Sequence, residues 1–330
     1  MMQKVIVYRK VDPRVLDYLR TTCEVIYFEE LDESTYPEFM SHLKDAEALL
    51  GSALKIDEET LDKSPKLKVI SNISVGYDNL DLDLLTKRNI IATNTPSILN
   101  ETVADAVFGV LLSAARRIPE LDAYVKQGNW DSMIGEELFG TDVYGKVIGI
   151  VGMGGVGKAI ATRAKFGFGM EILYHNRSRD EEIESTYNAQ YCSFQDLLKR
   201  SDFVCNMVPL SEETKSMYGA SEFKLMKQNA IFVNGSRGAV VDEDALVEAL
   251  KNKVIAGAGL DVYKQEPVKV DHPLLKLANV VTTPHIGSAT VETRFKMGML
   301  AADSVLQVLR GETPTNALNI LTSRDAITNE

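Results

Sequence analysis

Short runs of apolar, β-branched residues alternate with segments of helical period along the whole chain. Residues 4–8, 24–28, 67–73 and 90–93 read as strands, with amphipathic helical stretches between the first three and a shorter one before the fourth. A second series follows at 147–151, 171–174, 203–207, 230–233, 255–260 and 280–282. The near-continuous apolar character of these runs fits strands covered by helices on both faces. Strand–helix alternation of this kind predicts βαβ units, so the expected fold class is α/β with parallel sheets in two domains.

Two segments look like joints. Asn94-Thr95-Pro96-Ser97 is turn chemistry. It precedes a predicted long helix from Glu101 to about Lys126, whose middle, 104–112, is too apolar to face water. The second joint follows His285, where 288–309 reads as another long helix. The simplest layout is a first domain at 1–98, a second at 99–287, a C-terminal helix at 288–320 returning to the first, and a loose tail over 321–330.

Composition narrows the classes. The chain has 330 residues, 45% apolar and 25% charged, which suits a two-domain globular protein and excludes collagen, coiled coil and disorder. Lys and Arg number 36 against 47 Asp and Glu, a net charge of −11. With no basic run, nothing favours nucleic acid or an anionic membrane as a partner. Cys23, Cys192 and Cys205 lie far apart without CxxC spacing, which predicts three buried thiols in a reducing cytosol and no metal site. The first residues turn charged at Arg9-Lys10, and no apolar run reaches the ~18 residues of a membrane span. The expected location is the cytoplasm.

The sharpest motif is Gly152-Met153-Gly154-Gly155-Val156-Gly157, with a strand before it and a helical pattern after it. This G-x-G-x-x-G spacing allows a tight turn, close approach of a pyrophosphate to the backbone, and close packing of helix on strand. An NAD site usually carries a carboxylate at the end of the next strand. Here that end reads His175-Asn176-Arg177-Ser178-Arg179. Two guanidinium groups suit the 2′-phosphate of NADPH, so NADPH is expected over NADH, with NADH still possible.

Of four histidines, His42 sits in a polar helix, His175 borders the cofactor loop, and His272 in Asp271-His272-Pro273 looks like a turn residue. His285 follows a buried strand, at the carboxyl end where open α/β sheets place ligands. Arg237 follows the fourth strand of the second series and Glu266 the fifth. Arg, Glu and His converging there supply what a 2-oxo acid needs: a planar donor for its carboxylate, a proton donor for its ketone, and an anion to hold that donor protonated. The expected sign is a raised His285 pKa.

At this point the residues resemble a family. The glycine loop, 234–238, 261–267 and 284–290 look like signatures of the D-isomer-specific 2-hydroxyacid dehydrogenases, and 75–79 and 102–105 match that family's first-domain motifs. The resemblance implies two Rossmann-like/flavodoxin-like domains with the active site in the interdomain cleft. It makes Arg237, Glu266 and His285 the catalytic set, and gives Val75, Gly76, Arg237, His285 and Ser288 to the substrate. It gives the cofactor Thr102, Gly154, Gly155, Val156, Gly157, Asn176, Arg177, Ser178, Arg179, Pro209, Thr214, Ser236, Asp261 and Gly287, with Asp261 on the nicotinamide carboxamide. The residues around Gly128-Asn129-Trp130 to Tyr144 reach across a dimer interface in that family, so a homodimer is expected. Glu266, Gly287-Ser288 and the absence of an added regulatory domain look most like the glyoxylate/hydroxypyruvate/2-ketogluconate reductases. That resemblance implies NADPH-dependent reduction of a small 2-oxo acid. A phosphoglycerate dehydrogenase-like enzyme, a nucleotide-sensing corepressor and an enzyme oxidising an inorganic oxyanion stand as alternatives.

Overall fold

A computed structural model describes residues 2–320; the tail expected at 321–330 lies outside the described residues. The chain divides into two compact units, one built from Met1–Leu99 and the chain from Thr290 on, the other from Asn100–Ala289.

The first unit holds β1 (Gln3–Val7), β2 (Cys23–Tyr27), β3 (Ala48–Gly51), β4 (Val69–Asn72) and β5 (Ile91–Thr93). Every pairing is parallel, in the order β2-β1-β3-β4-β5. The centre is dry on both faces: Val5, Ile6, Val7, Leu49, Leu50 and Ile70 are fully buried. β3 departs from expectation, since its segment reads as part of a helical stretch. Ala-Leu-Leu-Gly carries no β-branched residue, and its strand state comes from burial between β1 and β4 rather than from local propensity. The Val291–Leu309 helix packs on β3, β4 and β5, where the Ser71 hydroxyl donates to Ala301 O at 3.0 Å. Asn319 then ties the following segment to β5, accepting from Ala92 N–H and donating to Ile90 O.

The second unit holds β6 (Val147–Val151), β7 (Glu171–His175), β8 (Gln190–Tyr191), β9 (Phe203–Asn206), β10 (Ile231–Asn234), β11 (Gly257–Leu260) and β12 (Val280–Thr282). Its order, β12-β11-β10-β9-β6-β7-β8, reverses between β6 and β9, and all its strand pairs are parallel. This is the six-stranded doubly wound dinucleotide-binding order with a seventh strand, β12, added at the β11 edge. The α/β class with two parallel sheets is as expected.

The long helix expected from Glu101 is two helices, Asn100–Arg116 and Ile118–Lys126. Arg117 between them is left-handed at φ +56°, and Pro119 in the first turn of the second helix stops the first from continuing. Val103, Val107, Phe108, Val110 and Leu111 are buried, and the first helix packs on β10, β11, β12 and the Gly155–Thr162 helix. One side of its apolar middle is thus covered within its own unit, while Asp105 and Gly109 on the other side are exposed. Cys23 and Cys205 are buried, but Cys192 is only half-buried. Among the described residues no helix is long and apolar enough to cross a membrane.

Candidate active site

The carboxyl ends of β9, β10, β11 and β12 carry a linked set of polar side chains, unusual in being buried. Asn206, Asn234 and Asp261, which end or follow three of these strands, are all nearly inaccessible. Asn206 Nδ2 donates to Asn234 Oδ1 at 3.0 Å and to the Ser236 hydroxyl at 2.8 Å, and Asn234 Nδ2 donates to the Arg237 carbonyl at 3.1 Å. The network therefore fixes the backbone from which Arg237 projects.

Gly238 fixes the next contact. A Cβ there would stand 1.8 Å from the Tyr263 carbonyl carbon, so only glycine lets the Arg237 turn lie against the loop that carries Glu266. The Glu266 carboxylate is held from both sides. Oε1 accepts the Tyr263 N–H at 2.9 Å, and Oε2 lies 2.6 Å from His285 Nδ1. Burial of the Glu266 carboxyl works against its charge. The hydrogen bonds from His285 and the Tyr263 N–H, with the charges of His285 and Arg237, outweigh burial and hold it below the usual glutamate range. With Nδ1 engaged, the Nε2 edge of the exposed His285 ring is left for a ligand.

His285 itself has φ +52°, an uncommon conformation for a non-glycine residue. Asp261 supports that turn: Oδ1 accepts from the Thr283 hydroxyl at 2.6 Å and Ile286 N–H at 2.8 Å, and Oδ2 from Gly287 N–H at 2.9 Å. Three bonds leave one acceptor position on the carboxylate. Asp261 therefore acts on the His285 turn first, whatever it offers to a nicotinamide. Gly238, Tyr263 and Thr283 were missed from sequence. Gly238 directly follows Arg237, and a glycine beside a proposed substrate arginine was the available signal.

In the glycine loop each position has a separate need. Gly152 has φ +95°, and a Cβ there would meet the Met207 carbonyl carbon at 2.7 Å. A Cβ at Gly157 would meet Gly152 O at 2.4 Å, while at Gly154 nothing lies within 4 Å. The first and third glycines are thus packing requirements, and the second leaves open room over the start of the Gly155–Thr162 helix. That helix has no side-chain cap, so its first N–H groups face the room left by Gly154.

A family model for the D-isomer specific 2-hydroxyacid dehydrogenase NAD binding domain matches residues 108–287. Escherichia coli glyoxylate/hydroxypyruvate reductase B is 47% identical over 319 residues, 97% of this chain and 98% of that protein. The chain belongs to the D-isomer specific 2-hydroxyacid dehydrogenases. Among solved structures, the TT0316 protein from Thermus thermophilus superposes with a TM-score of 0.88 at 39% identity, over 96% of this chain and all of that one. The NADPH-dependent glyoxylate/hydroxypyruvate reductase of Sinorhizobium meliloti, in complex with NADP and malonate, gives a TM-score of 0.85 at 31% identity over 96% and 97% of the two chains.

In this dehydrogenase the uncapped helix start and the space over Gly154 fit a nicotinamide dinucleotide. The two arginines after β7 are not equivalent. Arg179 is bound bidentately by Glu184, at 2.6 and 2.5 Å, and Glu184 also accepts from Tyr174. Arg177 is exposed, and among the described residues no ion pair holds it. Asn176 and Ser178 flank it, the Asn176 carbonyl accepting from the Tyr191 hydroxyl at 3.2 Å. Thr214 donates to Pro209 O at 2.6 Å, so those two positions form one turn after β9. Thr102 lies in the first turn of Asn100–Arg116, and Ser288 is half-buried just after Gly287.

Val75 and Gly76 lie in the first unit, in the loop after β4. Their carbonyls accept from Asn94, Asn72 and Ser74, and among the described residues their N–H groups donate to no backbone carbonyl. The other histidines have local duties: His272 Nδ1 accepts from Leu274 N–H, and His175 Nδ1 lies 3.1 Å from Cys192 O. Among the described residues no group of three or more His, Cys, Asp or Glu could hold a metal.

Proposed function

We propose that this dehydrogenase reduces a small 2-oxo acid to the D-2-hydroxy acid with NADPH, and that His285 gives the proton to the carbonyl oxygen. The observation that carries the reading is the 2.6 Å contact of His285 Nδ1 with Glu266, a pair set beside Arg237 by the Gly238 contact. A reduced nicotinamide, when bound, supplies the hydride to the carbonyl carbon. Arg237 orients the 2-oxo acid through a forked donor pair, and the Val75 and Gly76 N–H groups hold its carboxylate, a role their lack of backbone acceptors suits. Glu266 favours the imidazolium before transfer, and after transfer the neutral ring regains a proton from solvent. Gly154, Gly155, Val156 and Gly157 take the pyrophosphate, and Arg177 takes the 2′-phosphate.

Glyoxylate and hydroxypyruvate are the favoured substrates, because the relatives at 47% and 31% identity are reductases of those two acids. 2-Ketogluconate shares their reacting end. The same reading makes the protein a cytoplasmic homodimer. The experiment is a comparison of kcat/KM for the three acids, each with NADPH and with NADH. Turnover is expected, faster with NADPH. Cofactor binding without turnover of any 2-oxo acid would instead favour a nucleotide-sensing protein.

A further inference from the structure

The first unit has a switch point of its own. Its order β2-β1-β3-β4-β5 reverses between β1 and β3, and open parallel sheets bind ligands outside the carboxyl ends of their strands at such a point. Arg9 lies two residues beyond β1 and Ser52 directly follows β3; the Arg9 guanidinium donates to Ser52 Oγ across that gap.

Arg294 reaches the same end from the Val291–Leu309 helix. The last carbonyl of that helix, Leu309 O, accepts from Gln3 Nε2 at the start of β1 at 3.2 Å, which directs its first turn toward the opposite ends of the strands. There the Arg14 guanidinium, just beyond β1, lies 3.7 Å over the Phe295 ring. Arg14 is neutralised by a bidentate pair with Asp12, both bonds 2.8 Å. Among the described residues neither Arg9 nor Arg294 pairs with a carboxylate, and both are half-buried. Burial, then the charge of Arg9, holds Arg294 below the usual arginine range, and burial does the same to Arg9. A cation near the start of a helix also opposes the helix dipole. Two partly desolvated like charges destabilise the fold until an anion lies between them.

We propose that Arg9, Arg294 and Ser52 form an oxyanion-binding site at this switch point, taking a phosphate or carboxylate group on two guanidinium forks. The group is either the acidic far end of a 2-oxo acid or a free anion. Only the first source rests on the reductase reading above.

Inorganic phosphate is titrated calorimetrically into the NADP-saturated wild type, Arg9→Gln, Arg294→Gln and Arg294→Lys, with the thermal midpoint of each. Phosphate is expected to bind the wild type, at least tenfold more weakly each Gln variant, and Arg294→Lys in between. Each Gln variant should melt higher than the wild type without anion, because the repulsion is relieved. Turnover then separates the sources. If the substrate's far end is held, the ratio of kcat/KM for 3-phosphohydroxypyruvate to that for glyoxylate falls at least tenfold in the Gln variants. If a free anion is held, the ratio stays and only phosphate affinity falls. Equal phosphate affinity in all four proteins overturns the proposal, as does absence of phosphate binding together with an unaltered ratio. Arg294-dependent phosphate binding in a protein that turns over no 2-oxo acid would retire the reductase reading and leave this site standing.

Discussion

Glu266 and His285 share a proton's worth of coupling, and its sign can be tested. Against the cost of burial, the hydrogen bond and charge of His285 help hold the Glu266 carboxyl below the usual glutamate range. Reduction consumes a proton and needs the imidazolium, whereas the reverse reaction needs the neutral ring and improves as pH rises. Glu266→Gln keeps a hydrogen-bond partner but removes the charge, so the upper pH limit of reductive kcat/KM is expected to move acidward while cofactor binding survives. Coincident limits in variant and wild type would reduce Glu266 to a structural support for the turn. His285→Gln removes the proton donor itself, and kcat is expected to fall by ~10²–10⁴-fold. The arginines after β7 make a second residue-scale test. Arg179 is already held by Glu184, and Arg177 has no such partner among the described residues. Arg177→Ala is therefore expected to raise the KM for NADPH by roughly tenfold or more, with less effect on NADH and less effect from Arg179→Ala. Equal effects of the two substitutions on both cofactors would count against 2′-phosphate recognition.

At the scale of elements, the parts that could be read along the chain are those whose local chemistry agrees with their tertiary place. β1 and β6 carry apolar, largely β-branched runs, β9 opens on the apolar run Phe203-Val204-Cys205, and all three are mostly buried strands. The glycine loop announces itself because each glycine answers a local need, a positive φ at Gly152 and a 2.4 Å backbone approach at Gly157. β3 was illegible because Ala48-Leu49-Leu50-Gly51 has the composition of a helix, and only its neighbours make it a strand. The break at Arg117 was missed because the apolar period runs on past it, although Pro119 two residues later was a signal for it. At the site, His285, Glu266 and Arg237 follow strands and could be picked out by residue type. Tyr263 and Thr283 act through a backbone N–H and a hydroxyl, which no side-chain pattern reveals. β3 makes a direct test of tertiary override. Leu49 is fully buried among Ile6, Phe39 and Ile70 at the centre of the first sheet. Leu49→Ala is expected to cost ~2–5 kcal/mol in denaturant unfolding. A cost below ~1 kcal/mol would mean that β3 is not a packed central strand.

For the whole molecule, the assembly question turns on which apolar surface lacks cover. The Asn100–Arg116 helix buries Val103, Val107, Phe108, Val110 and Leu111 within its own unit, against β10, β11, β12 and the Gly155–Thr162 helix. The segment that follows carries the larger uncovered apolar surface. Trp130, Met133, Phe139 and Tyr144 are 64%, 95%, 57% and 76% exposed, and Ile118 and Val125 on the preceding helix are each 51% exposed. Single exposed apolar residues are ordinary, but with Ile134 these make seven large ones within 27 positions of the chain, a concentration of the kind that marks an interface. Trp and Met among them are types enriched where proteins meet. We propose a second copy of this chain as the occupant, since such an interface is the one this segment forms in the family it resembles. Sedimentation velocity at micromolar concentration is expected to give a dimer of the 36.5 kDa chain. The double substitution Trp130→Glu, Met133→Glu places two carboxylates on the proposed contact, where an unpaired buried charge is strongly disfavoured. It is expected to give a monomer whose thermal unfolding remains cooperative, because neither side chain is part of the core of its unit. A wild type that sediments as a monomer, or a variant that stays dimeric, would place these side chains in some contact other than self-association.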